Sequence, residues 1–226
     1  MTLSSRVDHL VVAADSLEQG VQWCENTLGV TPGPGGQHPL MGTHNRVLRI
    51  AAPQYPRAYL EIIAIDPAAP PPGRRRWFDL DDVVLKQKLR QQPRLVHFVA
   101  STNDAQAALQ ALERNGIDRG ELVAAERATP NGVLSWRISI RSDGQRLFYG
   151  GLPTLIQWNS AHASDAMPDI GLALRSLHAC YPRPADLDAA YAAIGLTGVA
   201  VEQGMPNVKA VLATPNGIVT LESGGF

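Results

Sequence analysis

Cysteine and net charge are both scarce in this sequence. The 226 residues include two cysteines, Cys24 and Cys180, and their spacing matches neither a zinc ribbon nor a CxxC motif. We therefore expect two buried, reduced thiols, as is usual in a cytoplasmic protein. The formal net charge is −1, which argues against a dominant phosphate-binding surface and hence against nucleic acid as a partner.

Long apolar runs are also lacking. No stretch approaches the roughly 18 apolar residues that span a bilayer, and residues 1–5 lack the basic start and apolar run of a signal peptide. Both absences predict a cytoplasmic protein with no membrane partner. What remains is an ordinary globular composition, with 45% apolar and 18% charged residues. This composition suits one large or two small domains that bind a small molecule or another protein.

The sequence does contain a pattern that occurs three times. Each copy has a short apolar strand with one histidine, followed a few dozen residues later by an apolar strand with one Glu or Gln. The pairs are His9 with Glu61, His97 with Gln157, and His178 with Glu222. Imidazole and carboxylate groups on the inner face of a sheet are the usual ligands of a metal site.

The order of predicted elements also repeats. A strand over Val7–Ala13 precedes a helix that ends at Gly29, and further strands follow, which gives a βαβββ module. Alternation along this strand predicts His9 on one face and Asp8 on the other. The predicted divisions are a first module at 1–66, a Pro-rich linker with a short helix at 67–92, a second module at 93–160, and a third, shorter module at 171–226.

A repeated tetrapeptide supports these modules. Thr-Pro-Asn-Gly occurs at residues 129–132 and 214–217, at equivalent places in the second and third copies. Because Asn-Gly is typical of a tight hairpin turn, each copy predicts a β-hairpin. Two such turns at matching places favour a true internal repeat.

Several motifs together resemble one known superfamily. They are Asp8-His9-Leu10-Val11-Val12, Trp23 to Gly29, Gly42-Thr43-His44-Asn45, Tyr59-Leu60-Glu61-Ile62-Ile63 and Arg76-Trp77-Phe78. On these residues the sequence resembles the glyoxalase-like proteins of the vicinal oxygen chelate superfamily, over about the first 160 residues. The resemblance implies an α+β fold in which paired βαβββ modules form a curved mixed sheet around a pocket. The internal repeat adds a third partial module at the C-terminus.

The resemblance also implies a divalent metal in this pocket, which would be Zn, Fe, Mn, Ni or Co. Mapped by motif, its ligands are His9, Glu61, His97 and Gln157, with Glu61 also catalytic. The implied reaction is lyase- or isomerase-type chemistry on a small oxygen-chelating substrate, with the metal as Lewis acid for an enediolate-like intermediate.

Two alternatives stay open at this point. An amide is a poorer ligand than a carboxylate and cannot act as a base, so Gln157 also suits a metal-free protein that binds or sequesters a small molecule. Two histidines and one carboxylate are in addition the ligand set of non-haem iron, which predicts a ring-cleaving dioxygenase as the second alternative.

Other residues are candidates for contact with the substrate. His44 and Asn45 lie beside a glycine and either face the substrate or form a solvated turn. Arg76 either binds a carboxylate or phosphate or lies in a solvated loop, and Trp77 either packs as a plug or lines the pocket. The third module either covers an edge of the sheet or forms a second metal site with His178 and Glu222, by pairing with another module or across a homodimer.

Overall fold

The structure is a computed structural model, which describes residues 2–129 and 132–225. The first module contains β1 (Ser5–Ala13), α1 (Leu17–Leu28), β2 (Gln37–His38), β3 (Thr43–Arg49) and β4 (Tyr59–Ile65). Helix α1 begins after Ser16, whose hydroxyl accepts a hydrogen bond from the backbone of Gln19, and ends at Gly29 in the left-handed conformation. Both ends therefore follow ordinary capping chemistry.

A linker and the second module follow. The linker contains one helix, α2 (Val83–Leu89), which is capped by the side chain of Asp82. The second module contains β5 (Arg94–Thr102), α3 (Ala105–Glu113), β6 (Glu121–Thr129), β7 (Gly132–Ile140) and β8 (Thr154–Trp158). Its order of elements is the same as in the first module.

The third module has the same order with one extra short strand. It contains β9 (Ala173–Tyr181), α4 (Pro184–Ala193), β10 (Leu196–Thr197), β11 (Ala200–Gln203), β12 (Asn207–Thr214) and β13 (Gly217–Glu222). Thr214 is paired with Gly217 across the hairpin that joins β12 to β13. In the other tetrapeptide Thr129 is paired with Gly132, but residues 130 and 131 of the predicted turn lie outside the described residues.

The first two modules share one curled sheet. Its strand order is β2-β3-β4-β1-β5-β8-β7-β6, and β10 adds a two-residue pairing to β1. The two first strands, β1 and β5, run antiparallel at the centre, while β4 is parallel to β1 and β8 is parallel to β5. The modules are therefore related by an approximate two-fold axis, and the predicted α+β fold of paired βαβββ modules is confirmed.

The two faces of the curled sheet bury separate cores. On the outer face Leu10, Phe98 and Leu155 pack with the helices and with side chains of the third module such as Leu177 and Leu212. The strands of the third module form their own sheet, in the order β11-β9-β12-β13. This second sheet is an additional layer on the outer face, so the inner face of the main sheet is left to form the pocket.

The inner face has its own apolar cluster, in which Val11, Ile63 and Val99 pack against Phe78 and Leu80 from the linker. The linker therefore closes over part of the concave face.

A β-bulge in β1 changes the expected pattern of side chains. The pairing of β1 with β5 shifts register between Val7 and His9. Val7 packs with Leu10 in the outer core, whereas His9 lines the inner cavity. Strict alternation placed Asp8 on the opposite face from His9, but its carboxylate instead contacts the ring of His9. The prediction of strict alternation was wrong here because a bulge inserts one residue and re-aims its neighbours.

Candidate active site

A cavity opens on the concave face of the main sheet, and its empty space is about 500 Å³ when the solvent at its open mouth is included. Three of the four tryptophans of the sequence form its walls. Its polar lining comes from both modules. The lining residues are His9, His38, Asn45, Val47, Tyr59, Glu61, Trp77, Phe78, Arg127, Trp136, Ile138, Ile156, Trp158 and Ala163.

Glu61 is the buried carboxylate of this cavity. It lies in β4 and is 5% exposed. Its Oε1 accepts a hydrogen bond of 2.6 Å from the Asn45 amide, and its Oε2 lies 3.7 Å from Nε2 of His9. The Nε2 atom of His38 lies 3.9 Å from Oε1. Because a buried carboxylate is costly without partners, these polar neighbours are what allow it to face the core.

His9 is held in one orientation from two sides. Its ring stacks on Tyr59, with the centroids 4.4 Å apart, and its Nδ1 lies 2.7 Å from Oδ1 of Asp8. The other oxygen of Asp8 contacts Nε2 of His162 and accepts a hydrogen bond from Trp158, both at 2.9 Å. Asp8 thus connects β1 to β8 and to the chain that follows it.

Asp8 fixes the tautomer of His9. Burial alone would raise the pKa of Asp8, but hydrogen bonds from His162 and His9 outweigh it and hold that pKa well below its usual value. An ionised carboxylate only accepts hydrogen bonds, so Nδ1 of His9 carries the proton. In the neutral ring this tautomer has its lone pair at Nε2, which is the atom that faces Glu61.

His38 lies in β2, the two-residue strand before β3, and was not among the sequence-predicted site residues. Burial is the main cause that lowers its pKa to about 4, while the charge of Glu61 opposes the shift. Its Nδ1 is 3.1 Å from the Thr43 hydroxyl, and its Nε2 is 3.4 Å from the Asn45 amide. Because this amide can only donate, Nε2 of His38 accepts and the ring is neutral.

A glycine pair allows this loop to approach the site. The Oδ1 atom of Asn45 accepts a hydrogen bond of 2.8 Å from the backbone of Gly36. A Cβ atom on Gly35 would overlap the backbone and side chain of Asn45. Glycine is needed at position 35 because no larger residue leaves room for Asn45 beside Glu61.

The structure places His97 on other partners. It lies in β5 and is fully buried, and burial together with the charge of Arg119 lowers its pKa well below the usual value. Its Nε2 accepts a hydrogen bond of 3.0 Å from the Thr154 backbone, and its Nδ1 is 3.0 Å from the Gly150 carbonyl. Both ring nitrogens are thus in use, and His97 is not among the residues that line the cavity.

Gln157 also lies away from the cavity. Its Oε1 accepts hydrogen bonds from the Ala105 backbone, at the start of α3, and from Arg137, both at 2.9 Å. In the same strand Ile156 and Trp158 line the cavity. The structure therefore brings His9 and Glu61 together but brings neither His97 nor Gln157 to them.

The predicted substrate-binding residues divide in the same way. Asn45 and Trp77 line the cavity, and the indole nitrogen of Trp77 is buried with no hydrogen-bond partner among the described residues. His44 is outside the lining, with Nδ1 4.0 Å from Asp66. Arg76 is also outside it and forms an ion pair of 2.7 Å with Asp81.

In the third module His178 pairs with Glu202 at 2.5 Å. Glu222 is exposed in β13, opposite Lys209. The histidine and the acid of this third copy therefore have separate partners.

The four sequence-predicted ligands do not fit one metal ion in this arrangement. The lone pair of His97 and the amide oxygen of Gln157 are used elsewhere, as described above. Among residues 2–129 and 132–225, no three His, Cys, Asp or Glu side chains are arranged to hold a metal ion. The groups that do face one another are His9, His38 and Glu61.

Sequence reasoning missed Asp8, His38, Arg127 and His162 as residues of this site. A signal for two of them was present. Asp8 directly precedes His9, and His38 follows Gly35-Gly36 in a loop that leads into Gly42-Thr43. The other two had no such signal, because their places depend on contacts far apart in the chain.

Paired βαβββ modules in one curled sheet, around a cavity with imidazole and carboxylate groups, define a protein of the vicinal oxygen chelate class. Within this class, the chain belongs to the glyoxalase-like domain family, whose model matches residues 7–195.

Solved structures match the chain at low sequence identity, and one of them shares its fold over most of the length. A hypothetical protein from Staphylococcus aureus is 14% identical, with a TM-score of 0.59 over 96% of this chain and 85% of that chain. Methylmalonyl-CoA epimerase from Mycobacterium tuberculosis is 17% identical, with a TM-score of 0.39 over 69% and 87%. A Streptomyces coelicolor methylmalonyl-CoA epimerase variant in complex with 2-nitronate-propionyl-CoA is 16% identical, with a TM-score of 0.43 over 70% and 100%.

No protein in the curated set matches the chain. Within the described part of the chain, no helix has the length and apolar character needed to cross a membrane.

Proposed function

We propose that this protein is an isomerase- or lyase-type enzyme that moves a proton at the carbon next to a carbonyl group of a small, oxygen-bearing substrate. One observation carries the proposal. The Nε2 atom of His9 and the Oε2 atom of Glu61 lie 3.7 Å apart on the wall of a largely aromatic cavity. Two proton acceptors this close, in a site shielded from water, suit general base catalysis.

In this proposal Glu61 is the catalytic base. Its Oε1 is held by Asn45, which leaves Oε2 to take the proton from the substrate carbon. The C–H bond breaks, its electron pair passes to the carbonyl oxygen, and an enediolate-like anion results. In a 2-hydroxy carbonyl substrate the proton then returns to the former carbonyl carbon while the hydroxyl proton passes to the oxygen of the former carbonyl, which completes an isomerisation. In a substrate with a leaving group on the β-carbon, the electron pair of the anion instead expels that group, which completes an elimination.

His9 supports this step as a second acceptor. A proton on Glu61 can pass to Nε2 of His9, and the resulting imidazolium is stabilised by the ionised carboxylate of Asp8 at 2.7 Å. The unpartnered indole N–H of Trp77 supports a further role, as a donor to the oxygen on which negative charge develops.

Whether a divalent metal binds at this cavity is tested by experiment. Imidazole nitrogens and a carboxylate are the donors that Zn, Fe, Mn, Ni and Co accept. Of the predicted set, only His9 and Glu61 lie at the cavity, so no step above is assigned to a metal. Elemental analysis of the wild-type protein beside His9→Ala and Gln157→Ala would separate a metal held at the cavity from one held by the four predicted ligands.

The direct test follows the proton. Small 2-oxo and 2-hydroxy carbonyl compounds are incubated with the protein in D2O, and deuterium at the carbon next to the carbonyl is followed by NMR. We expect exchange with the wild type and a loss of about 100-fold or more with Glu61→Gln, in line with the usual effect of a general base. The matched control is Glu222→Gln, an exposed glutamate of the third module, which should exchange as the wild type does.

A second candidate function is a protein that binds and sequesters a small molecule without converting it. The aromatic walls of the cavity favour it, because such surfaces hold apolar ligands without any reaction. Binding of the same compounds without exchange of deuterium in the wild type would favour this function and overturn the catalytic one.

A further inference from the structure

We propose that Arg127 is a recognition site for a carboxylate group, so that the cavity takes a small monocarboxylic acid with an apolar body. This inference rests on the proposed function in that it concerns the same cavity and names the class of its ligand. It does not depend on the reaction, because recognition can be measured in the absence of any turnover.

Arg127 is a cation of the cavity without an acidic partner. It lies in β6, is half-buried and lines the cavity. Other half-buried arginines have carboxylate partners, such as Arg76 with Asp81 and Arg141 with Asp143. Within the described residues no Asp or Glu side chain lies within ion-pair distance of Arg127. A guanidinium removed from water without such a partner is well placed to receive an anion from outside.

The guanidinium has a position prepared by a glycine. A Cβ atom on Gly36 would overlap the guanidinium and its adjoining carbon. The absence of a side chain at position 36 therefore leaves a groove in which the guanidinium rests against the loop. This loop leads into β2, which contains His38. Burial is the main cause that lowers the pKa of His38, and the positive charge of Arg127 lowers it further. Arg127 is thus at the same end of the cavity as His38.

The charges of the lining indicate a monoanion. Among the described lining residues Arg127 is the one Arg or Lys, and His38 is neutral at pH 7 because burial lowers its pKa to about 4. One guanidinium balances one carboxylate. A phosphate monoester carries nearly two negative charges at neutral pH, and no second Arg or Lys is present in the lining to balance the second.

The walls indicate the rest of the ligand. Tyr59, Trp136 and Trp158 offer aromatic surface, with the rings of the two tryptophans 5.6 Å apart. Such walls favour a flat or apolar body over a sugar-like one. In this arrangement the carboxylate of the ligand lies on Arg127 and its body lies against the aromatic walls.

The test compares acids with their neutral amides. Benzoate and phenylacetate are titrated by calorimetry, beside benzamide, phenylacetamide and phenyl phosphate, and binding is also followed by tryptophan fluorescence. We expect the acids to bind wild type at least 10-fold more tightly than the amides. Arg127→Met, which keeps an apolar side chain of similar length, should remove this preference, and Arg127→Lys should keep part of it because Lys lacks the planar fork.

The matched control is Arg137→Met. Arg137 is in the neighbouring strand β7 and binds Gln157 away from the cavity, so its loss should leave the preference for acids unchanged. Equal binding of acids and amides by the wild type would overturn the inference. Unchanged preference in a folded Arg127→Met variant would overturn it as well, and tighter binding of phenyl phosphate would replace the carboxylate by a phosphate.

The outcomes for the proposed function are separate. Arg127-dependent binding of acids with no deuterium exchange in any of them would overturn the catalysis and leave this inference standing. The opposite result is deuterium exchange that is lost in Glu61→Gln but proceeds equally with neutral carbonyl compounds and in Arg127→Met. This result would support the catalysis and overturn the inference about Arg127.

Discussion

The carboxylate of Asp8 and the imidazole of His162 lie in contact, with Oδ2 and Nε2 2.9 Å apart across 154 positions of the sequence. The Nδ1 atom of His162 accepts a hydrogen bond from the Ser164 backbone, so its Nε2 carries the proton and donates it to Asp8. Asp8 thus receives a hydrogen bond from a histidine on each of its oxygens. It is a positioning residue that acts through His9.

Replacement of Asp8 tests this arrangement. In Asp8→Asn a neutral amide replaces the carboxylate that accepts the hydrogen bond from Nδ1 of His9. The tautomer of His9 is then no longer fixed, and no negative charge stabilises an imidazolium. We expect the rate of deuterium exchange to fall about 100-fold or more, as when an aspartate behind a catalytic histidine is replaced. Because a merely structural role would also lower the rate, the ring nitrogens of His9 are followed by NMR. An unchanged tautomer of His9 in the variant would contradict the prediction.

His38 makes stability dependent on pH. Its pKa is lowered from 6.5 to about 4, mainly by burial. In the unfolded chain His38 is therefore protonated below about pH 6.5, whereas in the folded protein it stays neutral down to about pH 4. The free energy of unfolding therefore falls as the pH falls through this window. The loss amounts to about 3 kcal/mol, at 1.36 kcal/mol for each pKa unit.

The measurement is the free energy of unfolding in urea between pH 7 and pH 4. We expect His38→Gln to show a shallower decline than wild type over this range. His97 has a lowered pKa in the same direction, so some decline persists in the variant. Curves of equal slope for wild type and His38→Gln would contradict the prediction.

The linker segment over the cavity depends on one ion pair. Asp79 accepts a hydrogen bond of 2.8 Å from Arg146, whose side chain is 5% exposed and also donates to the Val96 carbonyl. The backbone of Phe78 and of Asp79 is in the left-handed region, with φ of 59° and 57°. A strained segment of this kind persists only where its surroundings hold it.

Asp79→Ala removes that support and leaves a buried guanidinium without its anion. We expect the free energy of unfolding to fall by about 3 kcal/mol or more. The control is Asp143→Ala, which removes a partner of Arg141 at an exposed site and should cost about 1 kcal/mol or less. Equal costs for the two variants in urea titrations would show that Arg146 does not depend on Asp79.

The sequence predicted those parts of the site that lie on regular, periodic strands. His9 and Glu61 are on β1 and β4, and both line the cavity. Gln157 is on a predicted strand too, but an irregular 3-10 turn at 148–150 precedes β8, and no periodic pattern fixes which face a five-residue strand presents. A shift of one residue moves every side chain to the other face, so Ile156 and Trp158 reach the cavity instead of Gln157.

The remaining site residues depend on features without a periodic signal. Asp8 reaches the site because of a bulge, and bulges are not visible in apolar alternation. His38 is in the two-residue strand β2, directly after a glycine-rich loop. Arg127 is in β6, and the strands β8 and β7 lie between β6 and β5 in the sheet. Their positions follow from tertiary contacts, which a single sequence does not specify.

Gly35 tests whether the loop and Glu61 depend on each other. A Cβ atom at this position would overlap Asn45, so Gly35→Ala must displace Asn45 from its 2.6 Å contact with Glu61. We expect a loss of about 1–3 kcal/mol in the free energy of unfolding, as for a buried group that loses its hydrogen bond. Deuterium exchange should also slow, because Glu61 loses the donor that holds it.

The control is Gly204→Ala. This glycine has ordinary space around it, with the nearest atom, on Cys180, 3.7 Å from the added Cβ, so stability and exchange should stay close to wild type. Asn45→Ala in a Gly35→Ala background makes the test specific. Part of the overlap at position 35 is with the side chain of Asn45, which also forms the hydrogen bond to Glu61. The double variant should therefore lose less free energy of unfolding than the sum of the losses in the two single variants. Strictly additive costs would mean that Gly35 acts on stability by some route other than Asn45.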